Sequence, residues 1–142
     1  MPLKVNLRAG ERIIINGALI SADSSIGLTI HNKVTLMLER QLVRPEEATT
    51  PARRIYYAIQ NAYVADAEEQ PTWLDQANRY IDDYAEATTT PAIGTKVAAI
   101  RLHLASNEYY AALRLARELF AHDDKMLSMG GSGPEGQPTA EE

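Results

Sequence analysis

The amino-acid sequence predicts an α+β fold: an N-terminal antiparallel β-meander or small β-barrel of about four or five strands, followed by an antiparallel bundle of about four helices. Apolar residues recur at every second position in residues 2–8 and a short β-branched run follows in residues 12–16, both typical of strands, whereas after residue 50 they recur at helical spacing. The dipeptide Thr-Pro, a helix-start signal, occurs at 50–51 and again at 90–91.

The strands follow from this alternation and from turn chemistry. In the segment PLKVNLR (2–8), three apolar residues alternate with polar ones, so one row faces inward. The segment AGE (9–11) makes the first turn. Asn16-Gly17 favours a type I′ hairpin, because both central residues of that turn need positive φ. The segment 22–27 is expected to be a loop, and one or two further strands follow it.

Later segments have the periodicity of amphipathic helices. In the first of them, Thr50 is the expected N-cap and Pro51 the first helical residue, while Ile55 and Ile59 lie on the buried stripe. The expected starts of the other three helices are Pro71 or Thr72, Thr90-Pro91, and Ser106 or Asn107.

These patterns divide the chain into a β subdomain (1–48), a helical subdomain (49–128) and a tail (129–142). From residue 130 onward the tail is rich in Gly, Pro and Glu and has no large apolar residue, so we expect it to be acidic and disordered. The chain has no cysteine, and its apolar runs are too short to cross a membrane. A cytoplasmic protein is therefore expected.

No residue pattern points to catalysis, a metal or a cofactor. The three histidines, His31, His103 and His122, are far apart and have no metal-ligand spacing to other donors. The carboxylate pairs Asp82-Asp83 and Asp123-Asp124 are expected on solvated helix faces. We therefore predict a non-enzymatic protein without catalytic residues, metal or cofactor.

Charge is distributed unevenly along the chain. Residues 1–60 carry eight Lys and Arg against five Asp and Glu, whereas residues 61–142 carry six against fourteen. Guanidinium groups bind phosphate bidentately, and exposed strands and loops suit single-stranded RNA. The alternative is a set of solvating charges, in which Arg53 or Arg54 pairs with Glu46, Glu47 or Glu39. The candidate RNA-binding residues are Lys4, Arg8, Arg12, Arg40, Arg44, Arg53 and Arg54.

The seven tyrosines suggest a different function, a protein-interaction surface. All of them lie between residues 56 and 110, and we expect some to be exposed, since tyrosine is enriched in interfaces. The alternative is that each ring belongs to the core with its hydroxyl at the surface. The candidate partner-binding residues are Tyr56, Tyr57, Tyr63, Tyr84 and Tyr110.

Two longer motifs carry a family resemblance. The segments LRAGERIIINGA and ATTPARRIYYAIQ, in this order, closely resemble the FlbT family of flagellum biosynthesis regulators, and the similarity extends from Met1 to about Leu127. The resemblance implies a small cytoplasmic protein that acts after transcription. It would associate with the 5′ leader of flagellin mRNA and alter its stability or translation, together with a second regulator, FlaF.

A weaker similarity concerns the first turn alone. The segment LRAGERIII resembles the opening strand of the CsrA family of RNA-binding regulators, through Arg8, Gly10 and Glu11. That likeness implies RNA contacts by Lys4 and Arg8 and by Arg40 or Arg44, although CsrA lacks a helical half. Two alternatives remain: a chaperone-like partner of flagellin or FlaF that acts on the message indirectly, and a homodimer formed through the edge of the sheet.

Overall fold

The computed structural model describes residues 2–131 and confirms the α+β class. The strands form two small antiparallel sheets, one with the order β1-β4 and one with the order β3-β2-β5, and the described residues contain no closed barrel. The strands are β1 (Leu3–Leu7), β2 (Arg12–Ile15), β3 (Ala18–Ser21), β4 (Ile26–Ile30) and β5 (Leu36–Met37).

Two sheets form because β2 is apolar on both faces. Ile13 and Ile14 point to opposite sides of β2, and both are fully buried. Ile14 joins the core made by the helices, whereas Ile13 packs with Leu7 and Ala22 in a separate small cluster. Strand β1 pairs with β4, with Val5 opposite Leu28. Residues of this second sheet pack against Ile13 and so cover the second face of β2.

The hairpin between β2 and β3 has the predicted turn. Asn16 and Gly17 have φ angles of 49° and 85°, as a type I′ turn requires. The Asn16 side chain accepts a hydrogen bond from the Thr35 backbone N–H at 2.8 Å. The Thr35 hydroxyl is in turn 2.8 Å from the hydroxyl of Tyr63. The hairpin tip is thereby attached to the first helix.

Within residues 2–131, five helices follow two short 3-10 turns, Glu39–Gln41 and Pro45–Glu47. The segment expected to form one final helix is divided at Leu119, whose N–H bonds to the Ala116 carbonyl at 3.0 Å and tightens the chain locally. The helices are α1 (Pro51–Val64), α2 (Gln70–Ala87), α3 (Pro91–Ala105), α4 (Tyr109–Glu118) and α5 (Phe120–Gly131). The remaining residues of the expected tail, 132–142, lie outside the described part of the chain.

Helix α1 lies at the centre of the main core. Thr50 is its N-cap, as predicted, and accepts a hydrogen bond from the Arg53 N–H at 3.2 Å. Ile55 and Ile59 are fully buried, and burial of one such side chain contributes roughly 1.5–3 kcal/mol. Two other predicted starts are wrong: α2 begins at Gln70 after the N-cap Glu69, and α4 begins after Glu108.

Of the pair Asp123-Asp124, Asp124 is exposed as the sequence predicts, whereas Asp123 is not on a solvated face. Asp123 is buried and accepts hydrogen bonds from the Ala52 N–H at 2.7 Å and the Tyr84 hydroxyl at 2.6 Å. A carboxylate is favoured there because the first N–H groups of α1 lack partners within the helix. Burial and the neighbouring Asp123 raise the pKa of Tyr84 above its ordinary value. This contact attaches α5 to the start of α1.

Candidate nucleic-acid interface

A groove of about 780 Å³ runs between β1 and the two 3-10 turns. Its apolar lining comes from β1, including Val5, and from Leu36, Leu38 and Leu42, which lie on either side of the 3-10 turn Glu39–Gln41. Four of the seven candidate RNA-binding residues line it, and they come from separate parts of the sequence. They are Lys4, Arg8, Arg40 and Arg44.

A second depression of about 480 Å³ continues this surface over the first turn of the chain. It shares Arg8 and Arg44 with the groove and adds Arg12. Gly10 lies here with a φ of 81° and has open space around it, so backbone is accessible beside the arginines. We call the combined surface of Lys4, Arg8, Arg12, Arg40 and Arg44 the basic groove.

The cations of the basic groove differ in how far they are neutralised. Within residues 2–131, Lys4, Arg8 and Arg40 have no carboxylate within ion-pairing distance. Arg44 has only a long contact of 3.8 Å to Glu46. Arg12 is paired with Glu39 at 2.9 Å, and this hydrogen bond lowers the pKa of Glu39.

Three glutamates also line the basic groove, and each accepts a hydrogen bond from the backbone of one of its arginines. Glu11 bonds to the Arg8 N–H at 2.8 Å and Glu47 to the Arg44 N–H at 2.9 Å. Both pairs have the spacing Arg-x-x-Glu. The carboxylates therefore shape the turns that carry Arg8 and Arg44 and leave both guanidinium groups available. The third, Glu39, bonds to the Arg12 N–H at 2.7 Å.

Comparison with known proteins confirms the family resemblance of the segments LRAGERIIINGA and ATTPARRIYYAIQ. The model of the family described as flagellar protein FlbT matches residues 3–127. The chain belongs to the FlbT family. It is 34% identical over 128 residues to the probable flagellum biosynthesis repressor protein FlbT of Caulobacter sp. (strain K31). The aligned region covers 89% of this chain and 97% of that protein.

Two further relatives have similar names. The flagellum biosynthesis repressor protein FlbT of Caulobacter vibrioides (strain ATCC 19089 / CIP 103742 / CB 15) is 31% identical, with 94% of each chain covered. The probable flagellum biosynthesis repressor protein FlbT of Agrobacterium fabrum is 30% identical, with 89% of this chain and 84% of that protein covered. No solved structure matches the chain. Of the helices in residues 2–131, none is long and apolar enough to span a membrane.

Two candidate arginines of this FlbT family member lie outside the basic groove. The Arg53 guanidinium makes a bidentate ion pair with Asp124, at 2.7 and 3.1 Å, and stacks 4.7 Å from the centre of the Phe120 ring. Arg54 lines a separate depression of about 430 Å³ between α1, α2 and α5, together with His122. The ion pair explains why a cation is found in the first turn of α1 despite the unfavourable helix dipole.

One residue that supports the groove was missed by the sequence analysis. Arg117, on α4, donates a hydrogen bond to the Gln41 carbonyl at 2.6 Å, and the Tyr56 hydroxyl donates to the same oxygen at 2.7 Å. The Arg117 guanidinium also stacks over Tyr56, 4.8 Å from the ring centre. These contacts attach the turn that carries Arg40 to the helices. Arg117 and Gln41 are 76 residues apart, so no local pattern could reveal the pair.

The expectation of exposed tyrosines is wrong, since all seven are buried or half-buried. Tyr56 and Tyr84 belong to the core, and their hydroxyls donate to Gln41 and Asp123. The remaining three candidates for partner binding are half-buried: Tyr57, which packs edge-on against Trp73, Tyr63, which stacks on Tyr109, and Tyr110. The rings therefore contribute mainly to helix packing.

Proposed function

We propose that this protein represses flagellum synthesis by binding the 5′ leader of flagellin mRNA along the basic groove. The relatives named above are called flagellum biosynthesis repressors, which supports the regulatory role. The observation that supports RNA binding is the convergence of Lys4, Arg8 and Arg40, none of them ion-paired within residues 2–131, on one groove. No catalytic step is proposed.

The groove suits a single strand of RNA that is recognised mainly through its phosphates. Guanidinium groups match phosphate geometry, and their charge favours phosphate contacts over contacts with neutral groups. The lining residues include leucines but no aromatic side chain, so bases would pack on apolar surface instead of stacking on rings. Binding should therefore depend strongly on salt and only moderately on base sequence.

The proposal is tested by measuring the affinity for a labelled flagellin leader RNA over a range of salt concentrations. The double variant Arg8→Ala/Arg40→Ala removes two cations of the groove while the Arg8 N–H bond to Glu11 remains. Each lost phosphate contact reduces the slope of log K against log salt by about 0.7, so we expect a slope smaller by about 1.4 and weaker binding.

The matched control is Arg79→Ala/Arg114→Ala, which changes the net charge equally at exposed positions on α2 and α4. It should retain the affinity and slope of the unmodified protein. Equal losses in both double variants would show a non-specific effect of charge, and the groove would not be the binding site. Affinity for the leader that appears only with flagellin or a FlaF-like partner present would favour the indirect mechanism.

A further inference from the structure

The strand β3 is an unprotected edge of the sheet β3-β2-β5. All four of its residues are exposed, including Leu19 at 51% and Ile20 at 38%. Natural edge strands are usually protected by a charge, a proline, a bulge or a covering element. The sequence Ala-Leu-Ile-Ser contains neither charge nor proline. This edge is therefore open to pairing with another strand.

The register of the hairpin determines which backbone groups are available at this edge. Ile15 pairs with Ala18 next to the two-residue turn, and Ile13 pairs with Ile20. In such a hairpin these are the hydrogen-bonded pairs, so the N–H and C=O of the residues between them point away from β2. Leu19 and Ser21 thus direct their backbone groups outward, and within residues 2–131 neither is bonded by another element.

We propose that β3 pairs with β3 of a second copy of this chain, antiparallel and centred on Ile20. In this register each Leu19 lies opposite Ser21 of the other copy, and the outward N–H and C=O groups of both residues form four hydrogen bonds across the two-fold axis. The two three-stranded sheets become one sheet of six strands. This inference does not depend on RNA binding.

The side chains agree with a second copy as the occupant of this edge. The two Ile20 side chains face each other at a non-hydrogen-bonded position, where cross-strand contacts are closest. Along the chain the nearest charged residue is Asp23, which follows β3, and across the sheet Arg12 lies opposite Ser21 but is paired with Glu39. Because Asp23 lies beyond the end of β3, the two Asp23 residues lie at opposite ends of the paired strands, and like charges are not brought together. Strand β3 itself carries no charge that would select a foreign strand.

The short strand limits the strength of this association. Four paired residues bury less than the roughly 1,200 Å² that stable interfaces need. We therefore expect a reversible dimer whose population increases with concentration. The measurement is sedimentation equilibrium of the full chain between about 1 µM and 500 µM, a range that brackets micromolar dissociation constants.

Two variants test the pairing from independent directions. Ser21→Pro removes an outward N–H without breaking the bonds to β2, and Ile20→Lys places two like charges at the two-fold axis. Both should remain monomeric at concentrations where the unmodified chain dimerises, with unchanged far-ultraviolet circular dichroism. The control is Leu102→Lys, at an apolar residue on α3 that is 70% exposed, and it should dimerise normally.

The proposal is overturned if the unmodified chain is monomeric over the whole range, even when a foreign peptide binds the edge. It is equally overturned if folded Ser21→Pro and Ile20→Lys variants both dimerise like the unmodified chain.

Discussion

At the scale of single residues, the basic groove depends on glutamates that bind backbone instead of guanidinium. Glu11 and Glu47 each accept the N–H of the arginine three positions earlier, so they fix the backbone and do not pair with the guanidinium groups; Arg44 keeps only its long contact with Glu46. Arg12 and Arg53, in contrast, donate through their side chains to Glu39 and Asp124. In the first arrangement the glutamate holds the backbone of the arginine, and in the second a carboxylate pairs with the guanidinium group and links distant segments.

The two side-chain ion pairs make stability depend on pH. Hydrogen bonds from Arg12 and Arg53 lower the pKa of Glu39 below 4.5 and that of Asp124 below 3.8, their ordinary values. Their contribution is fully present above these values and is lost as the pH falls through the lowered pKa of each group. Because both pairs are partly exposed, we expect about 0.5–1 kcal/mol from each.

Urea unfolding between pH 7 and pH 2 measures this effect. The free energy of unfolding of Glu39→Gln/Asp124→Asn should fall less on acidification than that of the unmodified chain, and the two curves should converge at the acidic end. Parallel curves would show that neither ion pair contributes.

The removal of Arg53 should separate stability from binding. Arg53→Ala loses the ion pair with Asp124 and the contact with Phe120, so we expect a loss of about 1 kcal/mol in the free energy of unfolding. Because Arg53 lies outside the basic groove, the affinity for leader RNA should not change. A large loss of affinity in the folded variant would contradict the proposed groove.

At the scale of secondary-structure elements, the most specific contact is between α5 and the start of α1. Asp123 satisfies the Ala52 N–H and the Tyr84 hydroxyl in a buried position. Asp123→Ala would leave both donors unsatisfied, so we expect a loss of about 2–3 kcal/mol in the free energy of unfolding. Asp124→Ala is the matched control and should cost less, because Asp124 is exposed and its hydrogen bonds are to the Arg53 side chain instead of the α1 backbone. Denaturation by urea measures both.

Elements whose signals are local could be predicted from the sequence, and contacts between distant elements could not. The Asn16-Gly17 hairpin, the Thr50 cap and the buried stripe of α1 depend on neighbours within a few residues. The pairing of β1 with β4 and the burial of Asp123 depend on partners far along the chain. The candidate cations show the same limit. Lys4, Arg8, Arg40 and Arg44 line the groove and Arg53 and Arg54 do not, and this difference follows from the fold and not from local sequence.

At the scale of the whole molecule, the strands and helices share one core. Ile14 of β2 lies in the same buried cluster as Ile55 and Ile59 of α1. Segment 1–48 alone would expose this face of β2, so we expect its circular dichroism spectrum to be that of an unfolded chain. The whole chain should unfold in one transition. Fluorescence of Trp73 and far-ultraviolet circular dichroism should report the same midpoint. Two separate midpoints would contradict a shared core.

The tip of the β2–β3 hairpin is a joint between strands and helices. A Cβ atom at Gly17 would lie 3.1 Å from the Tyr63 ring, and its φ of 85° already disfavours other residues. The position is therefore closed to larger amino acids for two independent reasons. Short hairpin turns are common insertion points for a reporter peptide or an epitope. At this turn, however, an insertion would push the β strands away from α1.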